Sequence, residues 1–370
     1  MHEATQPIPV IPQEPQASPV PSAEANTVPP VEPQAMEVHV EQPQGSSADL
    51  PEQLIPKTSP WVQRIKLWRY RFETWYAQSD AANNIVRALG VYKRLMRLDR
   101  PIGAYLLLWP CLWALWLSSN GHPDEKVFTV FVLGVFLTRS AGCVINDFAD
   151  RNFDAHVKRT RDRPMATGEV SVPEALALFA ALALIAFGLV LTLDKKVVEM
   201  SFAGVALMAT YPFFKRFFPA PQFYMGLAFS WSIPMAFVAQ TGTTSTLCWL
   251  LFAATILWAA AYDTIYAMMD RDDDMRIGIR SSAILFGDAD RVIIGIMQIM
   301  ALYALWLAGS KLELGNWYKL GLGVAALLSL FQQFLIRKRT PADCMKAFLN
   351  NNYFGMAVFI GIALEYLFHK

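Results

Sequence analysis

Two runs of acidic and amide residues lie where long apolar stretches of this chain run out. The first is Asn146-Asp147-Phe148-Ala149-Asp150-Arg151-Asn152-Phe153-Asp154, and the second runs from Tyr262-Asp263 through Tyr266 to Asp270-Arg271-Asp272-Asp273-Asp274. At about 3.6 residues per helical turn, Asn146, Asp150 and Asp154 share one face, as do Asp263, Tyr266, Asp270 and Asp274. Carboxylates so crowded repel one another where water is scarce, and a divalent cation is their natural counter-ion. Magnesium favours oxygen donors and is usually held by one or two carboxylates together with substrate phosphates. The pattern therefore points to Mg2+ sites completed by a phosphorylated ligand. Arg161, Arg163, Lys215, Arg216, Arg276 and Arg280 follow the same stretches and suit contact with phosphate. Arg97 and Arg100 precede Pro101, where the first apolar stretch begins, and would stand at the same mouth. Lys158, Arg159 and the run Arg337-Lys338-Arg339 read as topology determinants.

The elements that must position these groups are membrane helices. Hydrophobic residues make up 54% of the chain and charged residues only 17%, which departs from soluble domains towards an integral membrane protein. A net charge of +1 lacks the basic excess of a nucleic-acid binder, so partners are sought in the lipid bilayer. Cys111, Cys143, Cys248 and Cys344 show neither CxxC nor Cys/His spacing and read as small core residues. Apolar stretches of spanning length occur near 102–119, 126–146, 173–193, 197–214, 221–240, 246–268, 290–309, 316–336 and 347–368. The expected fold is all-α, a bundle of nine transmembrane helices. Arginine-rich loops follow the even-numbered spans, which places the N-terminus and both acid runs on the cytoplasmic side.

Before the spans, composition divides the chain. Residues 1–60 hold 13 of its 23 prolines, no arginine and no aromatic residue, and are expected to be a disordered tail. Residues 61–91 mix Trp61, Trp68 and Trp75 with Arg64, Lys66, Arg69 and Arg71, which suits an amphipathic segment in the headgroup layer. Residues 92–370 form the transmembrane domain.

From about Tyr92 to its end the chain resembles the UbiA superfamily of intramembrane aromatic prenyltransferases, most closely its 4-hydroxybenzoate polyprenyltransferase branch. The resemblance rests on the NDxxDxxxD segment at Asn146 to Asp154, Lys158-Arg159-Thr160-Arg161-Asp162-Arg163-Pro164, the YDTxYAMxDRDDD segment at Tyr262 to Asp274, Ile277-Gly278-Ile279 and Trp231-Ser232-Ile233-Pro234-Met235. It implies a central cavity with Mg2+ bridged between a polyprenyl diphosphate and the two acid motifs, in the inner membrane of a bacterium. By matching positions it implies that Asn146, Asp150 and Asp154 hold one Mg2+ and that Asp270 and Asp274 hold the other. Asp147 and Asp263 fall in the same motifs as further candidates, with Tyr266 beside them. Arg163, Lys215, Arg216 and Arg280 would then neutralise the diphosphate, and Arg97 or Arg100 would take the carboxylate of 4-hydroxybenzoate. Ile265 departs from the family pattern, which leads one to expect a polar residue there.

Two other functions compete with prenylation of 4-hydroxybenzoate in ubiquinone synthesis. One is the same chemistry on another aromatic acceptor. The other is transport of a divalent cation or a lipid phosphate, which would need polar groups across the membrane midplane rather than at one border.

Overall fold

The computed structural model describes residues 59–78 and 80–369. The proline-rich tail expected over residues 1–60 lies outside the described residues as far as Thr58. All regular structure among the described residues is helical: α1 Pro60–Gln78, α2 Asp80–Leu95, α3 Ile102–Ser118, α4 Glu125–Asp154, α5 Val172–Val190, α6 Lys195–Phe214, α7 Pro221–Ser230, α8 Ser232–Thr241, α9 Thr246–Ala267, α10 Arg271–Ile277, α11 Ser282–Phe286, α12 Asp290–Lys311, α13 Asn316–Leu335 and α14 Pro341–Phe368. The chain divides into two units at Trp68. In the first, the opening turns of α1 carry the exposed Trp61 and Trp68. In the second, α2 exposes Ile85, Val86 and Leu89, an apolar stripe at i, i+1 and i+4 of the kind an interfacial helix presents to lipid.

Among the described residues seven helical segments are long and apolar enough to cross a membrane, so the expected nine single spans are not reproduced. The first expected span is the 17-residue α3. The fifth is broken at Trp231 into α7 and α8, ten residues each. Proline explains the break. Pro234 has no N–H to give the Ser230 carbonyl, and its ring crowds the preceding turn. Trp231 turns aside at the joint and donates its indole N–H to the Met200 carbonyl of α6 at 2.9 Å.

Packing follows the apolar faces: α13 lies along α14, α12 along α9, α4 along α5, and α7 along α9. The core between α3, α9 and α14 is aromatic. The Trp258 ring stacks on Phe354 at 5.2 Å and meets Trp113 at 5.4 Å. Three consecutive asparagines of α14 satisfy the polar edges of this region. Asn350 accepts from Gln332 of α13 at 3.0 Å, Asn351 from the Trp258 indole of α9 at 2.9 Å, and Asn352 from the Trp109 indole of α3 at 2.9 Å. Buried indole N–H groups demand such partners. Ile265 of α9, unexpected by family pattern, is fully buried in an apolar cluster with residues of α12 and α14.

The α13–α14 crossing depends on glycine. A Cβ at Gly321 would lie 2.7 Å from the Ala357 carbonyl and 2.9 Å from Gly361 Cα, whereas a Cβ at Gly323 would meet nothing within 4 Å. Gly321→Ala is accordingly expected to destabilise the bundle by about 1–3 kcal/mol through overpacking, with Gly323→Ala neutral or slightly stabilising. Reversible unfolding of the two variants in mixed micelles measures the difference.

Candidate active site

Thirty residues of α4 rise about 45 Å at about 1.5 Å each, against a hydrocarbon layer of about 30 Å. The motif expected just beyond a span is thus the continuation of the spanning helix itself, and the i, i+4 face of Asn146, Asp150 and Asp154 is preserved. Asp147, Asp150 and Asp154 are only 1%, 4% and 6% exposed, and carboxylates so far from water require partners. Each partner comes from a different segment. Arg97, in a left-handed turn after α2, donates through Nη2 to both oxygens of Asp147 at 2.9 and 3.0 Å. Arg163, in the α4–α5 connection, reaches Asp154 at 2.9 Å and Asp147 at 3.2 Å. Lys215, at the end of α6, donates to Asp150, which also accepts from the Asn146 amide at 3.2 Å.

The second acid run does not form the single helical face expected of it. Instead α9 stops at Ala267, the Asp270 N–H bonds back three residues to the Ala267 carbonyl at 3.2 Å, and α10 restarts at Arg271 with Asp270 at its N-cap. Asp263 and Tyr266 therefore stand on α9 and Asp274 on α10. Arg159 pins the break, donating through Nε to the Asp270 oxygens at 3.0 and 3.2 Å and through Nη1 to the Tyr266 hydroxyl. Burial, and then the neighbouring Asp270 carboxylate, push Asp274 up to about 7. Cation binding between the two would favour its ionised form.

Both acid groups line one cavity of about 980 Å3, to which α3 through α9 and α14 all contribute. Its depth is apolar, with Leu106, Phe131, Val135, Phe187 and Met208 among the walls. Around the acids the structure gathers Arg97, Arg100, Arg163, Lys215, Tyr266 and Arg280 in the cavity lining. The individual positions differ. Arg100 is largely exposed and faces Asp99 at 3.6 Å. Arg280 spends one arm on the Phe217 carbonyl at 2.6 Å. Arg216 is absent from the cavity lining; it donates to the Ala149 carbonyl, with its guanidinium over Phe153 and Phe213 at 5.3 and 5.4 Å. That places it behind the first acid motif, bracing the backbone of α4.

Two arginines of the cavity escaped the sequence reading. Arg159, read as a topology determinant, is held at the Asp270–Tyr266 pair, and only tertiary structure could reveal that. Arg139 was hidden within an apolar stretch. It lies seven residues before Asn146 on α4, hence on the same stripe and about 10 Å deeper. It lines the cavity, among the described residues makes no ion pair and leaves its buried Nε without a hydrogen-bond partner, and sits 5.8 Å from the Phe229 ring centre. An ionisable residue within a span was a usable signal, since such residues mark functional sites by default.

Among the described residues no three acidic, histidine or cysteine side chains come together as a ready-made metal cage. The donors instead suit Mg2+ held partly by a phosphate ligand: oxygen-only carboxylates and one amide, on two facing walls, with basic residues interleaved.

Residues 107–358 match the UbiA prenyltransferase family. The 4-hydroxybenzoate octaprenyltransferase of Nitrosococcus oceani is 58% identical over 277 residues, covering 75% of this chain and 97% of that protein. That of Aeromonas salmonicida is 56% identical over 276 residues, covering 75% and 96%. Among solved structures, the apo form of a UbiA homolog from Aeropyrum pernix K1 superposes with a TM-score of 0.64 at 26% identity, covering 70% of this chain and 97% of that one. A UbiA homolog from Archaeoglobus fulgidus, bound to GPP and Mg2+, shares the fold with a TM-score of 0.57 at 17% identity over 73% of this chain and 99% of that one. With more than half its length matched by the family and its sequence kept so closely in these relatives, the chain belongs to the UbiA prenyltransferase family.

Proposed function

We propose that this chain uses Mg2+ to transfer a polyprenyl group from its diphosphate to 4-hydroxybenzoate, at the ring carbon ortho to the hydroxyl, as a membrane step of ubiquinone synthesis. The observation that carries this reading is one cavity with carboxylates on two walls of its mouth, an apolar depth and an unpaired arginine between them. The activity named for relatives 52–58% identical supports it, as do the GPP, DMAPP and Mg2+ of the Archaeoglobus fulgidus structures. By the positive-inside rule the arginine-rich mouth faces the cytoplasm of a bacterial inner membrane.

Asn146, Asp150 and Asp154 would hold one Mg2+ and Asp270 and Asp274 the other, with Asp147 kept in place by Arg97 and Arg163. Bound there, Mg2+ supplies charge neutralisation for the departing diphosphate. Arg159, Arg163, Lys215 and Arg280 surround the same position and share that negative charge. The apolar depth takes the isoprenoid chain and excludes water, so that the allylic cation forming at C1 meets the aromatic ring.

Arg139 fits the acceptor carboxylate better than Arg97 or Arg100. Arg97 is held by Asp147 on both oxygens, Arg100 is 81% exposed, and among the described residues Arg139 is the cavity cation of the three that forms no ion pair. Anchoring the carboxylate there fixes which ring edge meets C1. The ring proton released as the carbon–carbon bond forms goes to a cavity carboxylate. Asp263 makes no ion pair among the described residues, whereas Arg159 engages both oxygens of Asp270, so Asp263 is the carboxylate left free to accept it.

Membranes containing Asp150→Ala or Asp270→Ala protein are expected to lose Mg2+-dependent prenylation of 4-hydroxybenzoate by about 100-fold or more, scored as product per unit of folded protein. Near-normal turnover in both would reject the reading, and preference for homogentisate or a naphthoate in direct competition would reject the acceptor. Arg139→Ala is expected to raise the KM for 4-hydroxybenzoate about 10- to 100-fold, as loss of a charge-assisted hydrogen bond of about 1.5–3 kcal/mol requires. The KM for the diphosphate should stay unchanged. A phenol lacking the carboxylate should be used equally by the variant and the wild type.

A further inference from the structure

The helix that carries Asp274 has no hydrophobic anchor. None of the seven residues of α10 is buried, so polar contacts carry much of its placement: Arg159 holds Asp270 at its N-cap, and just past its C-terminus the Arg280 N–H bonds to the Lys215 carbonyl at 3.0 Å. Its first residue, Arg271, adjoins Asp270 and turns away from the cavity to a carboxylate outside it, Asp290 at the start of α12. Asp290 is fully buried. It also receives Arg339, through Nε at 3.1 Å to each oxygen and through Nη2 at 2.8 Å to Oδ1, and the Arg291 N–H at 2.6 Å. Arg339 adopts a left-handed backbone conformation at φ 54°, unusual for a non-glycine residue, and extends its fork to the Asp288 carbonyl at 2.9 Å. One buried carboxylate thus ties α10, the N-terminus of α12 and the α13–α14 connection into a single joint. None of its members lines the cavity.

We propose that Asp290, clamped between Arg271 and Arg339, is a positioning residue that aims Asp270 and Asp274 at the metal and diphosphate. This rests on the functional reading above. Three features carry it: no side chain of α10 is buried, Arg271 is covalently next to Asp270, and the Asp290 carboxylate is satisfied from three separate backbone segments. A buried carboxylate held this way has one orientation, because losing any partner leaves an uncompensated charge. Outer residues that orient metal-holding carboxylates commonly govern affinity without touching the ion.

The test is a Mn2+ titration, followed by electron paramagnetic resonance, of the full chain in detergent micelles containing a prenyl thiolodiphosphate. Asp290→Asn is expected to raise the half-saturating Mn2+ concentration about 10-fold or more, to leave the KM for 4-hydroxybenzoate unchanged, and to be partly rescued by Asp290→Glu. Wild-type Mn2+ affinity in folded Asp290→Asn protein, whatever its melting temperature, overturns the proposal. Should Asp290→Asn fail to fold, Arg339→Lys, which keeps the charge and loses the fork, takes its place, and unchanged affinity there overturns it equally. Wild-type protein that binds Mn2+ and prenylates the acceptor, beside variants of unaltered affinity, leaves the functional reading standing while the positioning role falls. Wild-type protein without metal-dependent turnover removes the functional reading itself.

Discussion

Charge compensation in a place nearly without water organises the cavity end of this molecule. Three carboxylates on the last turns of α4 are almost wholly buried, and burial of an unpaired carboxylate costs far more than the marginal stability of a fold can absorb. Their cations come from the α2–α3 turn, the α4–α5 connection and the end of α6. A fourth, Arg159, crosses to the second acid run. These pairs fix the connections that surround the mouth, because each cation can satisfy its carboxylate only if the loop carrying it follows one course. The apolar helices supply the vessel, while the ion pairs decide the shape of its opening.

Compensation of this kind also suits a site that takes an anionic ligand with its metal. Under the proposed function, lysine and arginine side chains that neutralise carboxylates at rest would be within reach of a diphosphate, and a metal on the carboxylates would free those cations for the phosphates. Arg139 stands apart, since among the described residues it forms no ion pair; it packs against Gly103 and lies near the Phe229 ring at the cavity wall. A cation kept desolvated beside an aromatic face favours a planar, negatively charged ligand.

Much of this was legible in the order of residues. The four-residue spacing of Asn146, Asp150 and Asp154 revealed their shared face because α4 is one uninterrupted helix. The equal spacing in the second run misled, because nothing between Met268 and Asp270 resembles a helix stop. The break is held by Arg159, more than a hundred residues away in sequence. Arg159 and Arg339 belonged to basic runs whose composition alone satisfies the positive-inside rule, so their second roles in binding Asp270 and Asp290 left no local signature. Pro234 did announce the division of the fifth span, although the apolar stretch around it is unbroken. Arg216 shows the opposite limit: a basic residue beside a basic residue, one facing the acids and the other supporting the helix behind them.

The asparagines 350 to 352 have a consequence for how the bundle finds its arrangement. Successive side chains on a helix point about 100° apart, so three in a row fan over about 200° and address α13, α9 and α3 separately. Lipid offers no hydrophobic preference among rotations of α14, because each greasy face is as content as another. A one-residue slip would leave two indoles and an amide without mates at once. The triplet therefore acts as a three-toothed key, which lets α14 recognise its slot by azimuth as well as by depth.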